Sequence, residues 1–365
     1  MFKKLLLIGF VTSFWYTQAQ APSNYYNNTQ GKSGYELKTE LHQIITQNHI
    51  AQSYGDAWSF FEENDVTPEG DVWDIYSDCV FTFGVPEFGG NQDTGSGGNI
   101  ECEFFNREHV FPRSWFGGAS MLPEHSDIIN LLPVDKLVNN VRGALVFAEI
   151  SSPDFTSSNG SQRGNSSTTG YNGTAFEVLD EYKGDIARIF FYMATRYENV
   201  IGFWQGNNEN GDVYLDGTSG QVYEDWVLDM LYEWHVNDPV DQKEIDRNNA
   251  AFEFQGNRNP FVDHPDFACA IWNVDEENCT LSTPAFDLKE SISIYPNPVT
   301  HSKVNISTKV SVDVLEIYSI TGKLVQKIKP NNNQVNFEVN HLKSGIYLLK
   351  VNSNQQSSTH KIIVK

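Results

Sequence analysis

Asn106-Arg107-Glu108-His109-Val110-Phe111-Pro112-Arg113-Ser114-Trp115 sets a carboxylate beside an imidazole, with a guanidinium on either flank. Glutamate is a hard oxygen ligand for a divalent cation, histidine takes a proton near neutral pH, and arginine pairs bidentately with phosphate oxygens. Together they suit attack on a phosphodiester. The stretch follows the β-prone run Cys102-Glu103-Phe104-Phe105, so the Glu-His pair is expected near the end of a strand. Neighbouring side chains on a regular strand point to opposite faces, so an end or a bend is needed if both serve one substrate.

Metal-assisted hydrolysis of a phosphodiester needs a cation on the scissile phosphate, a base for water and a counter-charge for the growing oxyanion. Glu108 is the candidate ligand and His109 the candidate base. A second oxygen is expected from Leu137-Val138-Asn139-Asn140-Val141-Arg142, where Asn139 offers an amide oxygen and Arg142 lies one helical turn later on the same face. Without context, a Glu-His dipeptide is more often an exposed surface pair, and an asparagine pair in a helix a cap or a solvated face.

The chain of 365 residues is long enough for two or three domains with real cores. Lys3 and Lys4 precede an apolar run over residues 5–16, and Thr17-Gln18-Ala19 supplies the small residues of a cleavage site, so residues 1–19 read as a signal peptide. That run is too short to span a bilayer, and no other stretch comes close. In an exported chain, Cys79, Cys102, Cys269 and Cys279 favour two disulfides over a metal cluster. Three pairings are open. The local one, Cys79 with Cys102 and Cys269 with Cys279, brackets one loop each, and closing the longer loop stabilises by about 3 kcal/mol. No C-x-x-C or H-E-x-x-H occurs, and the nine histidines are scattered, which argues against a zinc hydrolase.

The net charge of −22 is unexpected for a protein that grips a polyanion. Ten of the 25 Lys and Arg lie at or after Lys289 and two lie in the leader, leaving thirteen for residues 20–286. An acidic body with clustered arginines can focus positive potential in a cleft, and those arginines are expected to line one cleft around the Glu108–His109 pair.

Along the chain, residues 37–47 carry apolar groups at helical spacing, and residues 57–62 open a second helix. Residues 72–76 and 80–83 read as short strands, and residues 89–98 as a Gly-rich loop. Residues 134–150 have helix-compatible composition, and residues 151–173, rich in Ser, Thr, Asn and Gly, read as an exposed loop. Helices are expected over 184–196, 222–235 and 238–247, the last ending in the polar turn Gln255-Gly256-Asn257-Arg258-Asn259-Pro260-Phe261. From residue 291 onward, short alternating runs (304–306, 312–318, 335–339, 346–351 and 361–365) separated by Pro, Asn, Gly and Ser read as a small all-β sandwich.

Asp74-Ile75-Tyr76-Ser77, Asn106-Arg107-Glu108-His109 with Pro112-Arg113-Ser114-Trp115-Phe116, Asp127-Ile128-Ile129-Asn130-Leu131, Val138-Asn139-Asn140-Val141-Arg142, Lys183-Gly184-Asp185-Ile186-Ala187-Arg188 and the 255–261 turn occur in the order seen in the endonuclease I family. Over residues 25–275 the chain resembles that family of secreted or periplasmic nucleases, of the His-Me finger (ββα-metal) type. The resemblance implies a strand pair and a helix clasping one Mg²⁺, with Mn²⁺ or Ca²⁺ as alternatives. Glu108 and Asn139 would be the ligands, with His109 activating water. It implies cleavage of DNA, with RNA as a second substrate, to 5′-phosphate and 3′-hydroxyl ends with little sequence preference. Arg142 matches the arginine of the family's Asn-x-x-Arg pattern, with a structural or phosphate-binding role, and Arg107 and Arg113 are the candidates for stabilising the leaving group. Two departures stand out: Ile129 where relatives often carry His, and Ala144 where they carry Asn.

Ile294-Tyr295-Pro296-Asn297-Pro298, Val314-Leu315-Glu316-Ile317-Tyr318, Leu342-Lys343-Ser344-Gly345-Ile346-Tyr347 and Lys361-Ile362-Ile363-Val364-Lys365 resemble the sorting domain read by the type IX secretion machinery. An accessory carbohydrate-binding or adhesive sandwich is the bland alternative. The expectation is therefore an α+β protein: a mainly helical nuclease domain with a ββα-metal core over 20–286, then a β-sandwich over 287–365. It would be a monomer, secreted or held at the cell surface, with nucleic acid and the export machinery as partners. The competing class is a surface-displayed binding protein on a lapsed nuclease scaffold, which would bind without cleaving.

Overall fold

The computed structural model describes residues 21–272, apart from 23 and 122, and most of residues 292–365. The expected leader, the expected domain boundary at 286/287 and Cys279 lie outside the described residues. The chain divides into two compact units, residues 1–281 and 282–365, each with its own apolar core.

In the first unit, α1 (Gly34–Gln47) buries Leu37, Leu41 and Ile45, one stripe at four-residue spacing, and α2 (Ala57–Asn64) buries Phe60 and Phe61. The strands β1 (Phe105–His109) and β2 (Leu131–Asp135) pair antiparallel, with Glu108 opposite Leu132 and His109 opposite Leu131. The helix α3 (Lys136–Arg142) starts directly from β2, because the Asp135 carboxylate accepts the Val138 amide and caps the first turn. It stops at Gly143, whose φ of +56° favours glycine and whose N–H returns to the Asn139 carbonyl.

A four-stranded sheet follows in the order β3 (Val146–Phe147), β6 (Thr174–Glu177), β5 (Gln162–Ser166), β4 (Ile150–Thr156), parallel only between β3 and β6. The long helix α4 (Asp180–Arg196) is buried on nearly every face, as a central helix is. The short α5 (Glu198–Ile201) and α6 (Glu209–Asp212) lead to α7 (Asp225–Asn237). A capping box between Asp241 and Glu244 opens α8 (Gln242–Gln255), and α9 (Pro260–Asp263) and α10 (Asp266–Trp272) close the described part of this unit.

Three expectations are corrected. Residues 72–76 and 80–83 are not strands: Val72 makes one isolated bridge to Val66 and one bond to the Phe81 carbonyl, too few partners for a ladder. The helix expected over 134–150 is a strand end, a seven-residue helix and β3, because Asp135 caps and Gly143 terminates. The loop expected over 151–173 carries β4 and β5, whose outward-facing polar residues hid the strand period.

Cys79 and Cys102 are bonded to each other, as the local pairing requires. Cys269 is also disulfide-bonded, and its expected partner Cys279 falls outside the described residues. No described helix is long and apolar enough to cross a membrane.

The second unit holds two antiparallel sheets. One runs β10 (Leu324–Ile328), β9 (Val314–Ser319), β12 (Gly345–Ser353), β13 (Gln356–Val364), and the other β11 (Gln334–Glu338), β8 (Lys303–Thr308), β7 (Ile292–Tyr295). Alternate residues Val304 and Ile306, Leu315 and Ile317, and Leu349 and Val351 meet in one core, the period-two pattern the sequence carries.

Candidate active site

On β1, Asn106 and Glu108 share one face and Arg107 and His109 the other. The helix α3 lies across the first face. Its Asn139 amide nitrogen donates to Asn106 Oδ1 at 2.7 Å, and one turn on Arg142 Nη1 donates to Glu108 Oε1 at 2.9 Å. The Tyr76 hydroxyl reaches the same Oε1 at 2.8 Å. Glu108 Oε2 takes part in neither bond, and Asn139, having spent its amide nitrogen on Asn106, presents its carbonyl oxygen elsewhere. Burial raises the Glu108 carboxyl above its ordinary range, against the lowering pull of Arg142.

Arg142 has no solvent exposure. Besides Glu108, it donates to the backbone carbonyls of His109 (3.0 Å) and Val110 (2.6 Å), and its guanidinium carbon lies 4.5 Å from the centroid of the Phe147 ring. It is a strut from α3 to the end of β1.

On the opposite face, His109 closes β1 and is 8% exposed. Its Nε2 lies 2.9 Å from the His125 carbonyl. A carbonyl only accepts, so Nε2 carries the proton and Nδ1 of the neutral ring holds a free lone pair. Burial lowers the imidazole to about 3, against the raising pull of the bond to the His125 carbonyl and with the help of the His125 ring and the Arg113 and Arg107 guanidiniums, so the ring is neutral at pH 7. The His109 ring stacks against His125 (5.1 Å between centroids) and Tyr54 (5.5 Å).

Arg107 leans on the same tyrosine. Its guanidinium carbon sits 3.6 Å from the Tyr54 centroid and 4.5 Å from that of Trp58, and Nη1 donates to the Tyr54 carbonyl at 2.6 Å. Arg113 is exposed, with Nε on the Gly118 carbonyl at 2.7 Å. Arginines of this unit do not gather in one cleft, contrary to expectation. Arg188 is buried on Glu244, Arg247 on Asp65 and Arg258 on Asp263, since a buried cation requires a partner.

Beneath the site, Asp74 accepts from the Tyr76 and Asp135 amides and the Ser77 hydroxyl, and burial raises its carboxyl to about 7. Asp135 also accepts the Cys102 amide at 2.7 Å, which ties the disulfide loop to the start of α3. Sequence reasoning gave no role to Tyr54, Asp74, Tyr76, Asn106, His125 or Asp135. Asp74, Tyr76 and Asn106 lie inside motifs shared with the family, but Tyr54 and His125 carry no spacing signal. Among the described residues, no three His, Cys, Asp or Glu side chains are grouped to hold a metal ion. The donors near α3 are one carboxylate and one amide, both oxygen.

Residues 33–266 match the Endonuclease I family, and residues 293–365 match the secretion system C-terminal sorting domain. An extracellular ribonuclease of Bacillus amyloliquefaciens is 33% identical over 259 residues, covering 70% of this chain and 80% of that protein. A second extracellular ribonuclease, from Bacillus subtilis (strain 168), is 32% identical over 251 residues, 68% of this chain and 78% of its own. A solved structure of PorZ, a surface component of the type IX secretion system of Porphyromonas gingivalis, covers 23% of this chain and 12% of that one, at 18% identity and a TM-score of 0.20, too little to bear on the fold. With the match spanning most of the first unit and the sorting domain filling the second, this chain belongs to the endonuclease I family: it is a nuclease destined for secretion or the cell surface.

Proposed function

We propose that the protein is a metal-dependent, largely non-specific endonuclease that leaves 5′-phosphate and 3′-hydroxyl ends, exported through the type IX machinery. RNA is a substrate in this reading, as the names of the two Bacillus relatives suggest, and DNA is another. The β1–β2–α3 unit serves as its ββα-metal core. Glu108 through Oε2 and Asn139 through its amide oxygen hold one Mg²⁺, and Mn²⁺ or Ca²⁺ suit the same all-oxygen donor set. When bound, the cation polarises the scissile phosphate and offsets its growing negative charge.

The protein's own residues do the rest. His109 accepts a proton from water at Nδ1 while the His125 carbonyl fixes the tautomer through Nε2. The water oxygen attacks phosphorus, the bond from phosphorus to O3′ breaks, and O3′ leaves with the electron pair and takes a proton from solvent. Arg107 and Arg113 contact phosphate oxygens. Arg142 and Tyr76 are positioning residues that aim the Glu108 carboxylate.

The observation that carries the reading is the pair of parallel struts from α3 to one face of β1, Asn139 to Asn106 and Arg142 to Glu108. They leave Glu108 Oε2 and the Asn139 amide oxygen out of both bonds. The test of the reading is incubation of the full chain with single-stranded DNA and with RNA. Both are expected to be degraded with Mg²⁺, spared in EDTA and degraded again on re-addition of Mg²⁺. Intact substrates beside an active family control would refute it, and binding without cleavage would favour the lapsed-scaffold alternative.

A further inference from the structure

Residues 20–286 contain thirteen Lys and Arg against forty-two Asp and Glu. Ten of the thirteen lie within 4 Å of a described carboxylate: Lys32, Lys38, Lys136, Arg142, Arg163, Lys183, Arg188, Lys243, Arg247 and Arg258. Arg196 is buried, with Nη1 on the Thr46 hydroxyl. Among the described residues, that leaves Arg107 and Arg113 as the cations of this unit that reach solvent without a carboxylate partner within 4 Å. Both flank His109.

Arg107 is held in an uncommon way. Tyr54 and Trp58 fix its guanidinium through their ring faces, so the side chain is held without a carboxylate within 4 Å, and Asp93 acts on it only from further off. An in-plane fork of N–H donors remains for an anion. Arg113 is likewise anchored through backbone, at the Gly118 carbonyl, and not through an acid.

We infer that the site holds its substrate through two phosphates only, one on Arg107 and one on Arg113, and that its substrate class is flexible single-stranded nucleic acid and not long duplex. The inference rests on the nuclease reading above. A duplex carries one charge per roughly 1.7 Å of axis, so any duplex laid on the site drags further phosphates across a surface whose other cations are neutralised and whose acids are in excess. A single strand bends away after the two phosphates it needs. RNA and DNA strands share this chemistry.

The test uses the full chain and three substrates of one sequence: a twelve-nucleotide RNA strand, the same strand as DNA, and its DNA duplex. Two phosphate contacts to a single strand predict that kcat/KM falls about sevenfold between 50 and 200 mM salt. Arg107→Gln/Arg113→Gln should flatten that response to about twofold or less. Fluorescence anisotropy of the same oligonucleotides in EDTA gives the slope from Kd where a variant is too slow to assay. A fall of about 18-fold or more, which marks three or more contacts, would overturn the inference. So would a double variant that keeps the parent's salt response, because the cations of the C-terminal unit would then be the grip, and so would a duplex cut as fast as the strands. Comparable rates on the two strands place recognition on phosphate, and loss of only the DNA arm points to the ribose. If no arm is cut with Mg²⁺ but the anisotropy slope stays shallow, the nuclease reading falls and the two-phosphate grip stands.

Discussion

Glu108 and Arg142 are a buried ion pair in which each partner also bonds elsewhere, so their value lies in orientation more than in attraction. Arg142→Met strands an uncompensated carboxylate and removes three bonds to backbone carbonyls, those of His109, Val110 and Gly143. Urea denaturation should show a loss of about 3–5 kcal/mol. Tyr76→Phe takes only the hydroxyl, so the fold should survive while Mn²⁺ affinity, followed by calorimetric titration, drops about 10–100-fold. An unchanged affinity would detach Glu108 from the cation. For His109, burial and the neighbouring cations keep the ring neutral far below the ordinary histidine value of about 6.5. His109→Ala should cost about 10²–10⁴ in kcat with nucleic-acid binding retained, and the acid limb of the kcat/KM profile of the parent should lie below pH 6.5. A limb centred at 6.5 would mean that the base is exposed in the working enzyme.

The helix α3 ties several of these contacts together, because seven residues carry both Asn139 and Arg142 and their placement depends on where the helix starts. Asp135 sets that start by accepting Val138 N–H with one oxygen and Cys102 N–H with the other, while Asp74 accepts the Asp135 amide. Asp135→Ala should destabilise by at least about 1–2 kcal/mol through the lost cap, and should lower kcat as well, since the site's struts share that helix. Stability loss at unchanged kcat would separate the cap from the site. At this scale the sequence was readable where one period ran uninterrupted. Residues 37–47 lie within α1, and the alternation after residue 291 appears as β8, β9, β12 and β13. It was unreadable where chemistry overrode pattern. Residues 134–150 have a helix-compatible composition, yet a cap and a glycine cut them into a strand end, a helix and a strand. Tyr54 and His125 were invisible because residues 54, 109 and 125 meet only through tertiary packing.

For the whole molecule, composition announced an acid excess and the fold shows where it goes: most cations of residues 20–286 are consumed in ion pairs, and several ionisable groups are buried outright. Such groups make stability depend on pH. His235 packs on Phe191, with Nε2 on the Pro265 carbonyl and Arg188 beside it; burial, followed by that cation, lowers its imidazole to about 4. The folded state therefore keeps His235 neutral between pH 6.5 and 4, whereas the unfolded chain, with the ordinary value, binds a proton across that window. The unfolded state binds more protons there, so stability falls as pH falls, is fully present above 6.5, and is lost progressively down to about 4. Buried carboxylates pull the other way: Asp74, raised to about 7, is protonated in the folded state and ionised in the unfolded one, so it loses stability as pH rises from 3.8 to 7. The two terms offset in the parent, which makes its total pH slope uninformative and a difference measurement necessary. His235→Leu removes only the histidine term. Urea midpoints converted to free energies should show the parent losing about 3 kcal/mol more than His235→Leu on acidification from pH 6.5 to 4. Parallel losses in the two proteins would mean that His235 is protonated inside the fold, in which case its Nδ1 could not face the Arg188 guanidinium.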